Sequence, residues 1–139
     1  MAYATISDLI DAFDEVEVLQ LADRDDDGTA DADVIALVQE RSQSLIDGYL
    51  RARYALPLSA PFPAIILGID CDLQRYFLCD NAASDRIADA YDAAMSMLKD
   101  IAAGKLLLSV AAATSGDISG GATYAAPARV FSRDTLAGF

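Results

Sequence analysis

Pro63-Ala64-Ile65-Ile66-Leu67-Gly68-Ile69-Asp70-Cys71-Asp72-Leu73-Gln74-Arg75-Tyr76-Phe77-Leu78-Cys79 is the stretch that decides the fold. Its apolar residues leave almost no polar side, and a helix that is apolar nearly all round must be surrounded by other helices. Pro63 suits a first helical position, where its missing N–H costs nothing. Cys71 and Cys79 lie eight residues apart in this segment, about 12 Å along a helix axis, whereas a disulfide needs Cα atoms within about 7 Å. The expectation is two reduced thiols in the core of a chain that folds in a reducing cytoplasm. Asp70, Asp72 and Arg75 are the polar exceptions, and acids close to a base on a helix read as a structural ion pair, within or between helices.

Upstream, Leu56-Pro57-Leu58-Ser59-Ala60-Pro61-Phe62-Pro63 holds three of the four prolines, which forbids helix and predicts a stiff, extended connector. Before it, residues 32–54 carry Val34, Leu37, Val38, Leu45 and Tyr49 at mostly helical intervals, with Ile35, Ile46 and Leu50 as a partner set: a long amphipathic helix. Downstream, Ser84-Asp85 opens a helix with the face Ile87, Tyr91, Ala94, Met95, Leu98, Ile101, and Gly104 stops it. Two short helices begin the chain. The first is capped by Thr5 or Ser7, and the second, over residues 14–22, is expected to bury Val16, Val18, Leu19 and Leu21. The fold expected is mainly α: a small bundle of about five helices over residues 1–105, with residues 106–139 as a flexible linker and an extended C-terminal docking tail. Hydrophobic content of 54%, rich in alanine and without tryptophan, agrees with closely packed helices.

Between the second and third helices runs Asp23-Arg24-Asp25-Asp26-Asp27-Gly28-Thr29-Ala30-Asp31-Ala32-Asp33. Oxygen ligands at alternate positions before a glycine are what a hard cation needs, so Asp23, Asp25, Asp27 and Asp31 are candidate metal ligands, with calcium the matching ion. The twelfth position of such a loop, normally a bidentate glutamate, is Val34. The alternative is a solvated acidic turn. Eleven of the 22 acids fall in residues 1–33 against one base, Arg24, within a total charge of −12. Such a surface repels phosphate backbones and favours cations or basic protein surfaces.

The chain ends on Arg129-Val130-Phe131-Ser132-Arg133-Asp134-Thr135-Leu136-Ala137-Gly138-Phe139, after a Gly/Ser-rich stretch. Arg129, Phe131, Arg133 and Phe139 are the candidate interaction residues of a tethered peptide. With no histidine in the chain, histidine general-base catalysis, Ser-His-Asp triads and histidine-ligated zinc are excluded. No phosphate-binding glycine loop is present, and acids clustered on one loop make a poor glycosidase site, so no enzyme is expected. Neither a basic leader with an apolar region behind it nor an apolar run of about 18 residues occurs, so export by a signal peptide and membrane spanning are not expected.

Tyr3-Ala4-Thr5 ahead of an acidic Asp8-Leu9-Ile10 helix, Leu21-Ala22-Asp23-Arg24-Asp25, Ile46-Asp47-Gly48-Tyr49-Leu50-Arg51-Ala52-Arg53-Tyr54 running into Leu56-Pro57-Leu58, Cys71-Asp72-Leu73-Gln74-Arg75-Tyr76 and Phe131-Ser132-Arg133-Asp134 occur here in one order. Together they resemble the Mu-like tailed-phage head-tail connector family, over almost the whole chain. The resemblance implies a small helical adaptor of the virion neck. It would assemble as a ring of about twelve copies on the portal protein, meet a downstream neck or tail-completion protein, and let DNA pass its lumen without sequence-specific binding. The other reading of the residues is a calcium-binding helical interaction module with no virion role.

Overall fold

A computed structural model describes residues 2–80 and 83–110. They form five helices and no strand: α1 (Ile6–Ala12), α2 (Glu15–Ala22), α3 (Ala32–Leu50), α4 (Ala64–Leu78) and α5 (Asp85–Ala103). The protein is a small all-α fold. As its apolar circumference requires, α4 is the central element and packs against each of the other four helices.

The centre is a layer of Ile46 and Leu50 from α3, Ile66, Ile69 and Leu73 from α4, and Leu98 and Ile101 from α5, all at 1% exposure or less. Full burial of such a side chain is worth about 1.5–3 kcal/mol. This layer clamps α3, α4 and α5 together. The end of α3 meets the end of α5, where Arg53 donates to Ala102 and Ala103, and Arg41 in the first half of α3 lies over Phe77 at the end of α4, so α3 and α5 run the same way and α4 runs against them.

Local signals place most helix ends. Thr5 caps α1 through a reciprocal pair: its hydroxyl accepts the Asp8 N–H, and the Asp8 carboxylate accepts the Thr5 N–H at 2.7 Å. That bonding holds the Asp8 carboxyl below its usual range. At the end of α5, Gly104 adopts φ 75°, a left-handed conformation that strains any residue with a Cβ. Pro63 serves as the N-cap of α4, one position earlier than expected. α3 is regular only to Leu50, although the Tyr54 N–H still reaches the Leu50 carbonyl at 2.9 Å, so residues 51–54 form one closing turn. That turn brings Tyr54 inward, where its hydroxyl accepts the Leu108 N–H at 2.9 Å.

Several expectations are corrected. Val16 is 59% exposed, leaving Val18 and Ala22 as the buried residues of α2. Leu37, expected on the buried face of α3, is 68% exposed. The proline-rich connector, expected to be stiff and extended, is also packed on the body: Leu58 is buried, Leu56 and Phe62 lie on the core, and the Phe62 ring meets Tyr3 edge-on at 5.0 Å. Packing also continues beyond residue 105, since Leu108 is buried and Leu106 and Val110 lie against the core. Both cysteines are free and buried, and burial pushes the Cys71 thiol up to about 12.

Arg75 makes its ion pair with Glu17 of α2, not with Asp72, and its guanidinium sits over the Phe13 ring at 4.3 Å. Thus α1 and α2 are fastened to α4 by one arginine. Burial raises the Asp72 carboxyl, against the opposing pull of Arg75.

Candidate functional site

The acidic loop follows α2 and closes on itself. Asp23 uses both carboxylate oxygens as backbone acceptors, Oδ1 from the Asp27 N–H at 3.2 Å and Oδ2 from the Gly28 N–H at 2.8 Å. Asp25 Oδ1 shares that Asp27 N–H at 3.2 Å, and Asp27 Oδ1 accepts the Thr29 N–H at 2.8 Å and the Thr29 hydroxyl at 2.6 Å. The turn requires left-handed backbone at Asp26 (φ 60°) and Gly28 (φ 86°), which aspartate tolerates better than most residues and glycine best. Asp31 accepts the Arg24 N–H at 2.9 Å, while its own N–H returns to the Ala22 carbonyl at 3.0 Å.

Of the four candidate ligands, Asp23, Asp25 and Asp27 converge, each offering an oxygen within 4.8 Å of the others. Asp31 stands outside that group and braces the loop against Arg24. Val34, at the missing twelfth position, packs on the core. Electrostatics within the group are uneven. The Asp27 charge raises the Asp25 carboxyl, whereas the Thr29 hydroxyl and N–H lower that of Asp27. The cluster can attract a cation, and it also satisfies its own backbone without one.

The loop is tied into the bundle by Arg24, whose guanidinium pairs with Asp80 just beyond the end of α4 at 2.7 Å. Because α3 leaves the loop and spans 19 residues, its far end lies roughly 28 Å away at about 1.5 Å per residue. That far end is basic. Arg51 and Arg53 follow α3, and Arg53 donates to the carbonyls of Ala102 at 2.8 Å and Ala103 at 3.0 Å, closing the C-terminus of α5. Lys99 and Lys105 belong to the same end of α5, Lys105 paired with Asp100 at 3.2 Å, so the excess of positive charge there rests on Arg51, Arg53 and Lys99. The body therefore carries opposite charge at its two ends, a consequence of α3 joining an acidic loop to a basic turn.

Sequence reading missed the way the chain start is held. The Tyr3 hydroxyl donates to Asp47 of α3, a bond that, with burial, raises the Tyr3 hydroxyl far above its ordinary range. The Ala4 N–H donates to Asp70 at 2.7 Å, and the Ala4 carbonyl accepts from Gln74 at 3.1 Å and Gln39 at 3.4 Å. The hint in the sequence was a polar pair, Asp70 and Gln74, one turn apart on a mostly apolar helix. The tail candidates Arg129, Phe131, Arg133 and Phe139 lie outside the described residues. Among the described residues no helix is long and apolar enough to cross a membrane.

Comparison with known proteins gives two results. A family model described as Bacteriophage Mu, Gp36 matches residues 3–125. The Mu-like prophage FluMu protein gp36 of Haemophilus influenzae is 32% identical over 110 residues, covering 78% of this chain and 77% of that protein.

Proposed function

Because the chain belongs to the bacteriophage Mu Gp36 family, we propose that this Mu-like phage protein is a structural, non-enzymatic component of the virion neck that joins the head to the tail. In this reading it forms a ring, dodecameric to match the portal, between the portal protein and a downstream neck or tail-completion protein. DNA passes through the lumen without sequence-specific contacts. Family membership does not favour a calcium module with no virion role.

One observation carries the reading: the acidic loop and the basic Arg51/Arg53 turn stand at opposite ends of α3. A closed ring needs head-to-tail contacts, so each subunit must present two unlike, complementary surfaces. Opposed charge fixes which end meets which and speeds correct encounter more than it adds affinity. Acids on the lumen side keep passing DNA from adhering, since like charges repel. The compact body supplies rigidity, because its amino-terminal arm, proline segment and residues 106–110 are all packed onto the helices.

Interrupting the gene in an inducible prophage tests this. The expected outcome is DNA-filled heads and complete tails that accumulate separately and join when the protein is added back. Normal virions, or a block before DNA packaging, would contradict it.

A further inference from the structure

Leu37 is the anomaly of α3. It lies in the middle of a helix whose other large apolar residues turn inward, yet it is 68% exposed. Beside it, between the first half of α3 and the end of α4, is a depression of about 320 Å³ floored by Val34, Val38 and Phe77. Its rim is charged. Arg41 lies over the Phe77 ring at 4.1 Å, and Arg24 and Asp80 offset each other at 2.7 Å. Asp33 adds a further rim carboxylate, and the Asp23, Asp25 and Asp27 cluster follows immediately in the loop that carries Arg24. An apolar floor beside a loop with three converging carboxylates fits a peptide with an aromatic anchor flanked by cations.

The chain's own carboxy-terminal segment has that pattern. In Arg129-Val130-Phe131-Ser132-Arg133 an arginine stands two residues before and two after the phenylalanine, a spacing that puts all three on one side of any extended peptide. Reach is sufficient. The described body ends near Tyr54, which holds the Leu108 N–H, at the opposite end of α3 from the groove, roughly 28 Å away. Eighteen residues lie between Val110 and Arg129, and the chain joining the two spans at most about 65 Å. Tethering of this length gives an effective concentration near the millimolar range, so even weak docking is populated within one chain before a second copy competes at micromolar protein.

We propose that residues 129–134 dock in the groove of Leu37, Val34, Val38 and Phe77 of the same chain, with Phe131 on the apolar floor and Arg129 and Arg133 toward the acidic loop of Asp23, Asp25 and Asp27. Docked there, the segment covers the exposed Leu37. The inference goes beyond the connector reading and does not need it, since docking occurs in a single chain whether or not a ring forms.

Thiol protection in the full-length protein tests the docking. With Leu37→Cys, maleimide modification is expected to be about tenfold slower than in the same chain carrying Phe131→Ala, or carrying Arg129→Glu with Arg133→Glu. The native Cys71 and Cys79 are buried and do not compete. Equal labelling rates in the three proteins would overturn the proposal. A second variant, Leu37→Cys with Phe131→Cys, is expected to give a monomeric internal disulfide on mild oxidation, faster than Val16→Cys with Phe131→Cys, because Val16 is exposed outside the groove. A disulfide-linked dimer would place the segment on a second copy and overturn docking within one chain, as would equal rates for the two pairs.

Discussion

The carboxylate of Asp70, buried in the middle of α4, accepts the backbone N–H of Ala4 at 2.7 Å, 66 residues earlier in the chain. The same oxygen accepts from Gln74 at 2.9 Å, while Oδ1 has no hydrogen-bond partner, the Ser42 hydroxyl being given to the Gln39 carbonyl at 3.1 Å. Removing the acceptor leaves two buried donors unpaired, at about 1–3 kcal/mol each. Asp70→Ala is therefore expected to lose on the order of 2–4 kcal/mol in urea unfolding, and Asp70→Asn, which keeps one acceptor oxygen, clearly less.

Burial holds the Asp70 carboxyl above its ordinary value of 3.8, which fixes the sign of a pH effect. Between 3.8 and the raised folded value the native state binds more protons than the unfolded chain, so stability falls as pH rises through that window. The contribution is complete below the unfolded value and is lost above the folded one. The difference in unfolding free energy between wild type and Asp70→Asn is expected to move in the mutant's favour as pH rises from about 4. A difference that does not change with pH would contradict it.

Gly104 and Arg53 form one device at the end of α5. A Cβ at position 104 would both strain the φ of 75° and collide with the Arg53 guanidinium that caps Ala102 and Ala103. Left-handed backbone costs a residue with a Cβ roughly 1–2 kcal/mol. Gly104→Ala is expected to destabilise by about 2 kcal/mol and Arg53→Ala by about 1 kcal/mol. The double variant falls short of the sum, because each change already removes the same capping bonds.

Asp23 and Asp25 differ in their expected importance although they are two residues apart. Asp23 satisfies two backbone amides, whereas Asp25 shares one and is repelled by Asp27. Asp23→Ala is expected to cost about 1 kcal/mol, and Asp25→Asn to leave thermal stability unchanged or slightly higher. The ranking holds in a chelator as well as in calcium, because it rests on bonds within the loop. A chelator that reversed the ranking would show that a cation, and not the loop's own amides, holds the turn.

Opposed ends predict charge rescue. Arg51→Glu and Asp25→Lys are each expected to lower ring formation on purified portal by about tenfold at low salt. The double variant, which reverses the charge at both ends, is expected to recover it. Counting rings by negative-stain microscopy measures all three, and additive losses in the double variant would contradict the pairing.

The bundle was legible because its decisive signals are local. A helix apolar on all sides needs neighbours, a Thr5 to Asp8 box caps, and a glycine ends α5. Asp70 shows where legibility stops: its main partner is a backbone N–H, which no side-chain pattern encodes, 66 residues distant. Leu37 and Val16 fit their helical periods and yet face out, since period alone does not say how wide a stripe the neighbouring helices cover. Likewise, three acids of the loop were readable as a converging group, but Asp31 was not readable as a brace for Arg24, because alternate spacing fits both a ligand set and a self-closing turn.

The central claim is a ring of this chain between head and tail. An electron-microscopy reconstruction of the neck in intact virions tests it most directly: the account predicts the five-helix body repeated around the axis against the portal, with the acidic loop of each copy toward the Arg51 end of the next. A neck whose density is fully accounted for by other proteins, or virions that lack this chain, would contradict it.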